Sequence, residues 1–216
     1  MVGKMRDIKY ELQYIILGDG PAGQPGKLKK VQTFLRANAE TGIAIEKKQY
    51  FKSEEAAALV VFAQEEKLFY DPAIKESYFI SEGAEQRVYR LDDLHVIKTN
   101  GSIFYESWLD YFNSLLIHNY FFHATAYQFL GFKIINNELH AIVKQQFIKA
   151  SQPTDLSAVK QFLEYNGFWN NRNNDYVHNG LGLIFEDLHD ENVLSNNGVL
   201  FFIDTIFYLT PDFYLE

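Results

Sequence analysis

Short apolar stretches typical of strands fill the middle of the chain, and one helical pattern interrupts them. Between the third and the fourth stretch, residues 103–122 predict a helix whose apolar residues recur at helical spacing. These residues are Trp108, Leu109, Phe112, Leu115 and Leu116. The predicted strands are residues 78–80, 87–91, 94–99, 132–135 and 139–143. The order predicts an α+β fold in which an antiparallel five-stranded sheet carries one packed helix.

The N-terminal region has a different character and predicts mainly helices. One helix is expected at Lys27–Ala39, and a second is expected to begin at an N-cap, Ser53, and to end near Leu68. The glycine-rich stretch Gly18–Gly26 predicts a linker. It is not a phosphate-binding P-loop, because the lysine after Gly26 is followed by leucine rather than by serine or threonine.

Near the C-terminus, residues 156–165 predict a helix, and two apolar runs predict strands at residues 181–185 and 199–203. We therefore expect three parts: a helical N-terminal extension, a sheet region and a C-terminal region. Their predicted bounds are residues 1–70, 71–148 and 149–216.

Composition restricts the class of protein. Hydrophobic residues make up 47% of the chain, which allows a sizeable core. The net charge of -8 argues against nucleic acid as a partner, because that binding depends on basic surfaces. The absence of cysteine excludes disulfides and cysteine-bound zinc, and no apolar run is long enough to span a membrane. We expect a soluble, cytoplasmic protein with no membrane partner, and the sequence leaves the oligomeric state open.

Carboxylate and amide side chains flank the two C-terminal strands. Asp187 follows the first strand, Asn192 comes five residues later, and Asp204 ends the second strand. Asn192 and Asp204 offer the oxygen ligands that Mg²⁺ prefers, and Asp187 could accept the proton of a hydroxyl group. Lys98 alternates in phase with Leu94 and Val96 on a predicted strand. A cation on that face needs an anionic partner, and nucleotide phosphates would serve.

These residues resemble the sequence motifs of the protein-kinase-like superfamily. The segment Asp187–Asn192 looks like its catalytic loop, Val96–Lys98 resembles its lysine-bearing third strand, and Gly83 matches the middle glycine of its glycine-rich loop. A histidine two residues after the loop aspartate, here His189, is the residue seen in aminoglycoside-phosphotransferase-like enzymes. The chain is most similar to the small kinase-like domains of polyvalent proteins from bacterial mobile elements, over residues 77–210.

The resemblance implies a bilobed fold with nucleotide between the lobes. It implies that ATP and Mg²⁺ are the cofactors and that the γ-phosphate is transferred to an unknown hydroxyl acceptor, a protein Ser, Thr or Tyr or a small molecule. Gly83 and Lys98 would contact the phosphates, and the connector around Gln146 would hold the adenine. Lys98 also needs a helix carboxylate. Helical geometry favours Glu106 over Asp110, and the choice stays open.

Departures from the family pattern support an alternative. The glycine-rich loop has one glycine where the family often has three, Phe185 replaces a histidine, and Thr205 follows Asp204 in place of phenylalanine. The 12 residues after Asp204 leave no room for an activation loop, so we expect a reduced C-lobe. The alternative is a non-catalytic nucleotide-binding or protein-interaction module. We expect His118 and His123 to be ordinary packing or surface residues.

Overall fold

A computed structural model describes residues 2–18, 26–41, 48–83 and 86–215. Its five α-helices are Val2–Leu17 (α1), Lys27–Thr41 (α2), Lys48–Glu65 (α3), Trp108–Phe121 (α4) and Leu156–Tyr165 (α5). The helical prediction for the N-terminal region is confirmed, but Ser53 lies inside α3 and is not its N-cap. The predicted linker at Gly18–Gly26 lies mostly outside the described residues. Within the described ranges, no helix has the length and apolar content needed to cross a membrane.

The predicted five-stranded antiparallel sheet is confirmed. Its strands are Phe79–Glu82 (β1), Gln86–Arg90 (β2), His95–Asn100 (β3), Gln128–Ile135 (β4) and Glu138–Gln146 (β5). They lie in the order β1-β2-β3-β5-β4, and every neighbouring pair is antiparallel. The central strand, β3, is buried at five consecutive residues, from Val96 to Asn100. Both of its faces are therefore covered.

Helix α4 is shorter than predicted and is buried on most of its faces. It begins at Trp108 because Ser107 caps it: the Ser107 hydroxyl accepts the Asp110 N–H at 2.9 Å. Trp108 and Phe112 of α4 stack edge-on against Phe132 of β4, with ring centroids 6.1 Å and 5.9 Å apart. These aromatic rings form the core between α4 and the sheet.

The C-terminal region contains more strands than the sequence pattern predicts. Helix α5 and strands in both predicted apolar runs are confirmed. The strands are Trp169–Arg172 (β6), Asp175–His178 (β7), Leu183–Glu186 (β8), Val193–Asn196 (β9), Val199–Phe202 (β10) and Ile206–Leu209 (β11). They form a four-stranded sheet in the order β11-β8-β7-β6 and a hairpin of β9 and β10. The polar, exposed strand β6 has no apolar alternation, so its pairing with β7 could not be recognised from sequence.

The chain forms two compact units, each assembled from separate segments. We call Pro21–Phe112 with Tyr127–Phe147 the sheet unit, and Met1–Gly20 with Asn113–Ala126 and Ile148–Glu216 the loop unit. Helix α1 belongs to the loop unit. Its Leu12 and Ile16 are buried in that unit's core, and Gln13 Nε2 donates to the Phe213 carbonyl at 2.6 Å. The predicted bounds at residues 70 and 148 follow motif positions rather than packing, and they stay a prediction.

Candidate functional site

Hydrogen bonds close the loop between Asp187 and Asn192 in the loop unit. Strand β8 ends at Glu186, directly before the loop, and Asn192 lies directly before β9. The Asn192 side-chain Nδ2 donates to the Asp187 backbone carbonyl at 2.8 Å and to the Asp187 carboxylate Oδ2 at 2.9 Å. Both hydrogens of the amide nitrogen are therefore used within the loop. The remaining polar atom of this buried side chain is its oxygen, Oδ1.

His189 orients the other carboxylate oxygen of Asp187. The Glu191 N–H donates to His189 Nδ1 at 3.3 Å, which requires Nδ1 to be unprotonated and puts the hydrogen of a neutral ring on Nε2. Nε2 lies 3.3 Å from Asp187 Oδ1 and faces that carboxylate oxygen. The contact of 3.0 Å between Nε2 and Asn192 Nδ2 joins two donors and is not a hydrogen bond. His189 thus braces the loop.

The backbone of Asp187 has a left-handed conformation, with φ of 63°. Residues other than glycine adopt this backbone conformation at an energetic cost, although aspartate tolerates it better than most residues. Its N–H is held at 3.2 Å by the Asp175 carboxylate of β7. The strained turn therefore depends on the pairing of β7 with β8. Half of the Asp187 side chain, 53%, remains exposed to solvent.

A neighbouring acid adds negative charge next to Asp187. Burial raises the pKa of Glu186, and the carboxylates of Asp175 and Asp187 raise it further. The charges of Asp175 and Asp187 thus act on the carboxyl group of Glu186 at the end of β8. Such a group of like charges is costly unless protons or cations neutralise it.

The backbone of Asn192 holds Asp204 next to the loop. The Asn192 carbonyl accepts the Ile203 N–H at 2.9 Å and the Asp204 N–H at 3.3 Å. The β9–β10 hairpin provides this geometry, since its last pair, Val193 with Phe202, lies beside these bonds. Asn192 and Asp204, predicted as two oxygen ligands of one metal ion, are therefore brought together within one unit.

Polar side chains in and after α4 hold the segment around Asp204. His118, which is fully buried, has Nδ1 2.7 Å from the Thr205 hydroxyl and Nε2 2.9 Å from the Thr125 carbonyl. The Ser114 hydroxyl accepts the Phe207 N–H at 2.9 Å. The Thr125 hydroxyl donates to the Phe202 carbonyl at 2.6 Å. We call Ser114, His118, Thr125 and Thr205 the α4 network.

The α4 network was not predicted, and His118 was expected at an ordinary packing or surface position. One signal was available: Ser114 and His118 are polar residues four positions apart on a helix that is otherwise mostly apolar, so they share a face. Their partner, the segment from Phe202 to Phe207, is about 90 residues away in the chain. No local pattern could identify it.

In the sheet unit, Lys98 is a buried residue of the central strand. It pairs with Val88 of β2 and Val143 of β5, and it is 3% exposed. Its ammonium lies 5.4 Å from the ring centroid of Tyr127, within range of a cation–π interaction. Val96, which was predicted to share a face of the strand with Lys98, is also buried. Leu94 precedes β3 and is 65% exposed. A surface position for Lys98 is excluded.

The predicted helical position of Glu106 is wrong. Glu106 is exposed and lies in the turn before α4, which begins at Trp108. Asp110 does lie in the first turn of the helix, and its carboxylate accepts the Ser107 hydroxyl at 2.7 Å. The helical angle that favoured Glu106 therefore does not apply. Pairing of either residue with Lys98 stays a prediction.

Helix α3 organises the turn that contains Glu106, a role that no sequence pattern predicted. Glu55 accepts the Trp108 N–H at 2.7 Å, and burial raises the pKa of its carboxyl group. Lys52 donates to the Ser102 carbonyl and, at 2.8 Å, to the Tyr105 carbonyl. These two α3 side chains hold both ends of the turn.

The remaining predicted residues lie at ends of strands in the sheet unit. Gly83 follows β1, and its N–H donates to the Gln86 carbonyl at 2.9 Å. Among the described residues, a Cβ at Gly83 would meet only that carbonyl oxygen, at 3.9 Å, so their packing does not require glycine there. Gln146 is exposed and ends β5, whereas the predicted connector begins only at Phe147. Gln146 pairs with His95, beyond the last pair of β5 with β4.

Comparison with known proteins adds one finding. A family model described as "Serine/Threonine/Tyrosine Kinase found in polyvalent proteins" matches residues 52–211. The matched range begins within α3 and includes every predicted site residue. No curated protein and no solved structure matches the chain. The narrower resemblance of the loop to aminoglycoside phosphotransferases stays a prediction.

Proposed function

The chain belongs to the family of serine/threonine/tyrosine kinases found in polyvalent proteins, and on that premise we propose that it transfers the γ-phosphate of ATP to a hydroxyl group. One observation carries the proposal: the half-exposed Asp187 carboxylate, with Asn192 on one oxygen and His189 on the other. A carboxylate oriented in this way can accept the proton of an attacking hydroxyl. The family description favours a protein Ser, Thr or Tyr as the acceptor.

The residues around the loop fit a magnesium ion. Asp204 offers an anionic oxygen, and Asn192 offers Oδ1 because its Nδ2 is committed to Asp187. No group of three or more His, Cys, Asp or Glu side chains suited to a metal occurs among the described residues. The chain would thus provide few ligands itself, as is usual where substrate phosphates and water complete the shell. When bound, Mg²⁺ would neutralise charge on the transferring phosphoryl group.

In the proposal, the sheet unit supplies the contacts to the nucleotide. Lys98 is the cation for the α- and β-phosphates, and the space at Gly83 admits a close approach of phosphate to backbone. The backbone around Gln146, past the end of β4, receives the adenine. The sheet unit would act as the N-lobe of a bilobed kinase-like fold and the loop unit as a reduced C-lobe.

A second candidate is a nucleotide-binding module without catalysis. The position of Glu106 favours it, because a kinase site needs a helix carboxylate to pin the lysine, and Glu106 lies outside α4. Asp110 could take that role, although its carboxylate already accepts the Ser107 hydroxyl.

A transfer assay distinguishes the two candidates. The protein is incubated with Mg²⁺ and γ-labelled ATP, with casein and a Glu–Tyr copolymer as acceptors, and nucleotide binding is measured by calorimetry. We expect Asp187→Asn to lower transfer by about 10²–10⁴-fold with little change in ATP affinity, because general-base catalysis contributes about that much. Asp190→Asn, the same exchange on an exposed side chain of the loop, is the matched control and should retain transfer.

Each other outcome has a distinct meaning. Binding of ATP without transfer to either acceptor or to water would favour the module. Equal transfer by wild type and Asp187→Asn would refute the role of Asp187. Failure of the wild-type protein to bind ATP would contradict both candidates.

A further inference from the structure

The loop unit contains a second candidate site, a cavity of about 410 Å³ that plays no part in the proposed phosphotransfer. Seven aromatic side chains line it, among them Phe121, Phe168 and Phe207, and Ile8 of α1 closes one wall. Small-molecule sites typically have volumes of about 300–1,000 Å³ and are apolar with a few placed polar groups. This cavity fits that description in size and in lining.

His178 supplies the polar group. The ring is 6% exposed and belongs to the cavity wall. Its Nδ1 accepts the Leu181 N–H at 3.1 Å, so the hydrogen of the neutral ring is on Nε2. Nε2 is therefore the donor that the ring can offer to a ligand in the cavity.

Gly167 leaves room beside that nitrogen. Its φ of 84° lies in the left-handed region, and a Cβ there would be 2.8 Å from His178 Nε2. Any other residue would therefore press on the Nε2 side of the ring. Because Gly167 also lines the cavity, the glycine keeps this part of the wall open.

The charge of the wall restricts the ligand. Burial lowers the pKa of His178, which keeps the ring neutral near pH 7. The lining contains no lysine, arginine, aspartate or glutamate side chain among the described residues. An anion would thus be desolvated without a compensating charge, which is unfavourable. The aromatic walls favour a flat ring system that can stack or pack edge-on.

We propose that this cavity binds an uncharged aromatic molecule whose hydrogen-bond acceptor receives the Nε2–H of His178. The ligand would bury its ring among the aromatic side chains and present a carbonyl or a comparable oxygen to the histidine. The site is independent of ATP, so the proposal holds or fails apart from the proposed function.

Titration with the fluorescent naphthyl ketone prodan, in the absence of nucleotide, tests the proposal on the full chain. We expect saturable binding with blue-shifted emission, weakened about three- to tenfold in His178→Phe, which is the effect of one neutral hydrogen bond. The variant should fold, because the Leu181 N–H keeps its bond to the His178 carbonyl at 3.2 Å. Ile8→Trp, which fills the cavity from α1, should abolish binding.

Two controls sharpen the result. His140→Phe makes the same exchange at a partly buried histidine of the sheet unit and should leave prodan binding unchanged. 2-Isopropylnaphthalene, which lacks an acceptor, should displace prodan equally well from wild type and His178→Phe, which shows that the cavity is intact. Binding that neither variant alters, or no saturable binding, would overturn the proposal. Equal loss of both probes in His178→Phe, or tighter binding of 2-naphthoate than of prodan, would also contradict it.

Discussion

Replacing Thr205 with valine tests whether the α4 network stabilises the segment around Asp204. Valine keeps the shape of the side chain and removes the hydroxyl that lies 2.7 Å from His118 Nδ1. Because His118 Nε2 donates to the Thr125 carbonyl, Nδ1 is the nitrogen that accepts from that hydroxyl. Thr205 is 3% exposed and His118 is fully buried, so water cannot readily replace the lost donor.

The structure sets the size of the effect. Removing one partner of a hydrogen bond between buried groups costs about 1–3 kcal/mol. In a chain of this length, each 1 kcal/mol lowers the melting temperature by about 2–4 °C. Thr205→Val should therefore lower it by about 4–8 °C for a central cost of about 2 kcal/mol. Thermal unfolding followed by circular dichroism measures the shift.

A partly buried threonine whose hydroxyl oxygen is buried provides the control. The Thr33 hydroxyl in α2 is buried and has no hydrogen-bond partner within the described part of the chain. Thr33→Val removes a polar group that forms no bond, so it should be neutral or stabilising. The contrast between the two exchanges isolates the hydrogen bond from the general effect of replacing threonine with valine.

A double-mutant cycle tests the pairing itself. Thr205→Val and His118→Leu each remove one of the two groups that form the hydrogen bond. The double variant removes both groups. We expect the double variant to be more stable than the sum of the single effects predicts, by about 1–2 kcal/mol. Additive effects, or a melting temperature unchanged by Thr205→Val, would refute the hydrogen-bond network as described.

Further predictions follow from the same contacts. Gly182→Ala should lower the free energy of unfolding in urea by about 3 kcal/mol or more, because φ is 67° and a Cβ would lie 2.2 Å from the Phe213 nitrogen. Gly26→Ala is the control with little expected effect, because a Cβ there would meet no atom of the described residues within 4 Å. Burial lowers the pKa of His178 in the folded protein below its ordinary value of 6.5. The neutral ring therefore contributes its full stability above pH 6.5, and this stability is lost as the pH falls below that value. His178→Phe should flatten this dependence in urea midpoints measured between pH 7.5 and 5. Thr205→Val should weaken Mn²⁺ binding in the presence of ATP by about tenfold, measured by electron paramagnetic resonance, whereas equal affinity would separate the network from the metal.

Local patterns in the sequence were sufficient for much of the fold. The five strands and α5 could be predicted because apolar periodicity and turn residues act within a few positions. The spacing from Asp187 to Asn192 and the hairpin that follows could be read in the same way, since the loop closes on itself through hydrogen bonds no more than five residues apart. The family is confirmed for the same reason: its motifs are local.

Tertiary structure decided how that loop is supported. Asp175 holds the Asp187 N–H from β7, a strand whose polar hairpin partner β6 has no apolar alternation. His118 and Ser114 hold the segment after Asp204 across about 90 residues of sequence. Such contacts depend on which elements pack together, and side-chain spacing along the chain carries no information about that choice.

The start of α4 shows the same limit at close range. Apolar spacing predicted a helix from residue 103, yet Ser107, together with Glu55 from α3, ends the preceding turn and starts the helix at Trp108. Glu106 therefore lies in the turn before the helix and not in the helix itself. The sequence by itself determined which residues are candidates for the chemistry and which stretches become strands, because both depend on neighbours in the chain. Only the folded protein decided helix ends, buried polar partners and the cavity around His178, because each is set by groups that are distant in sequence.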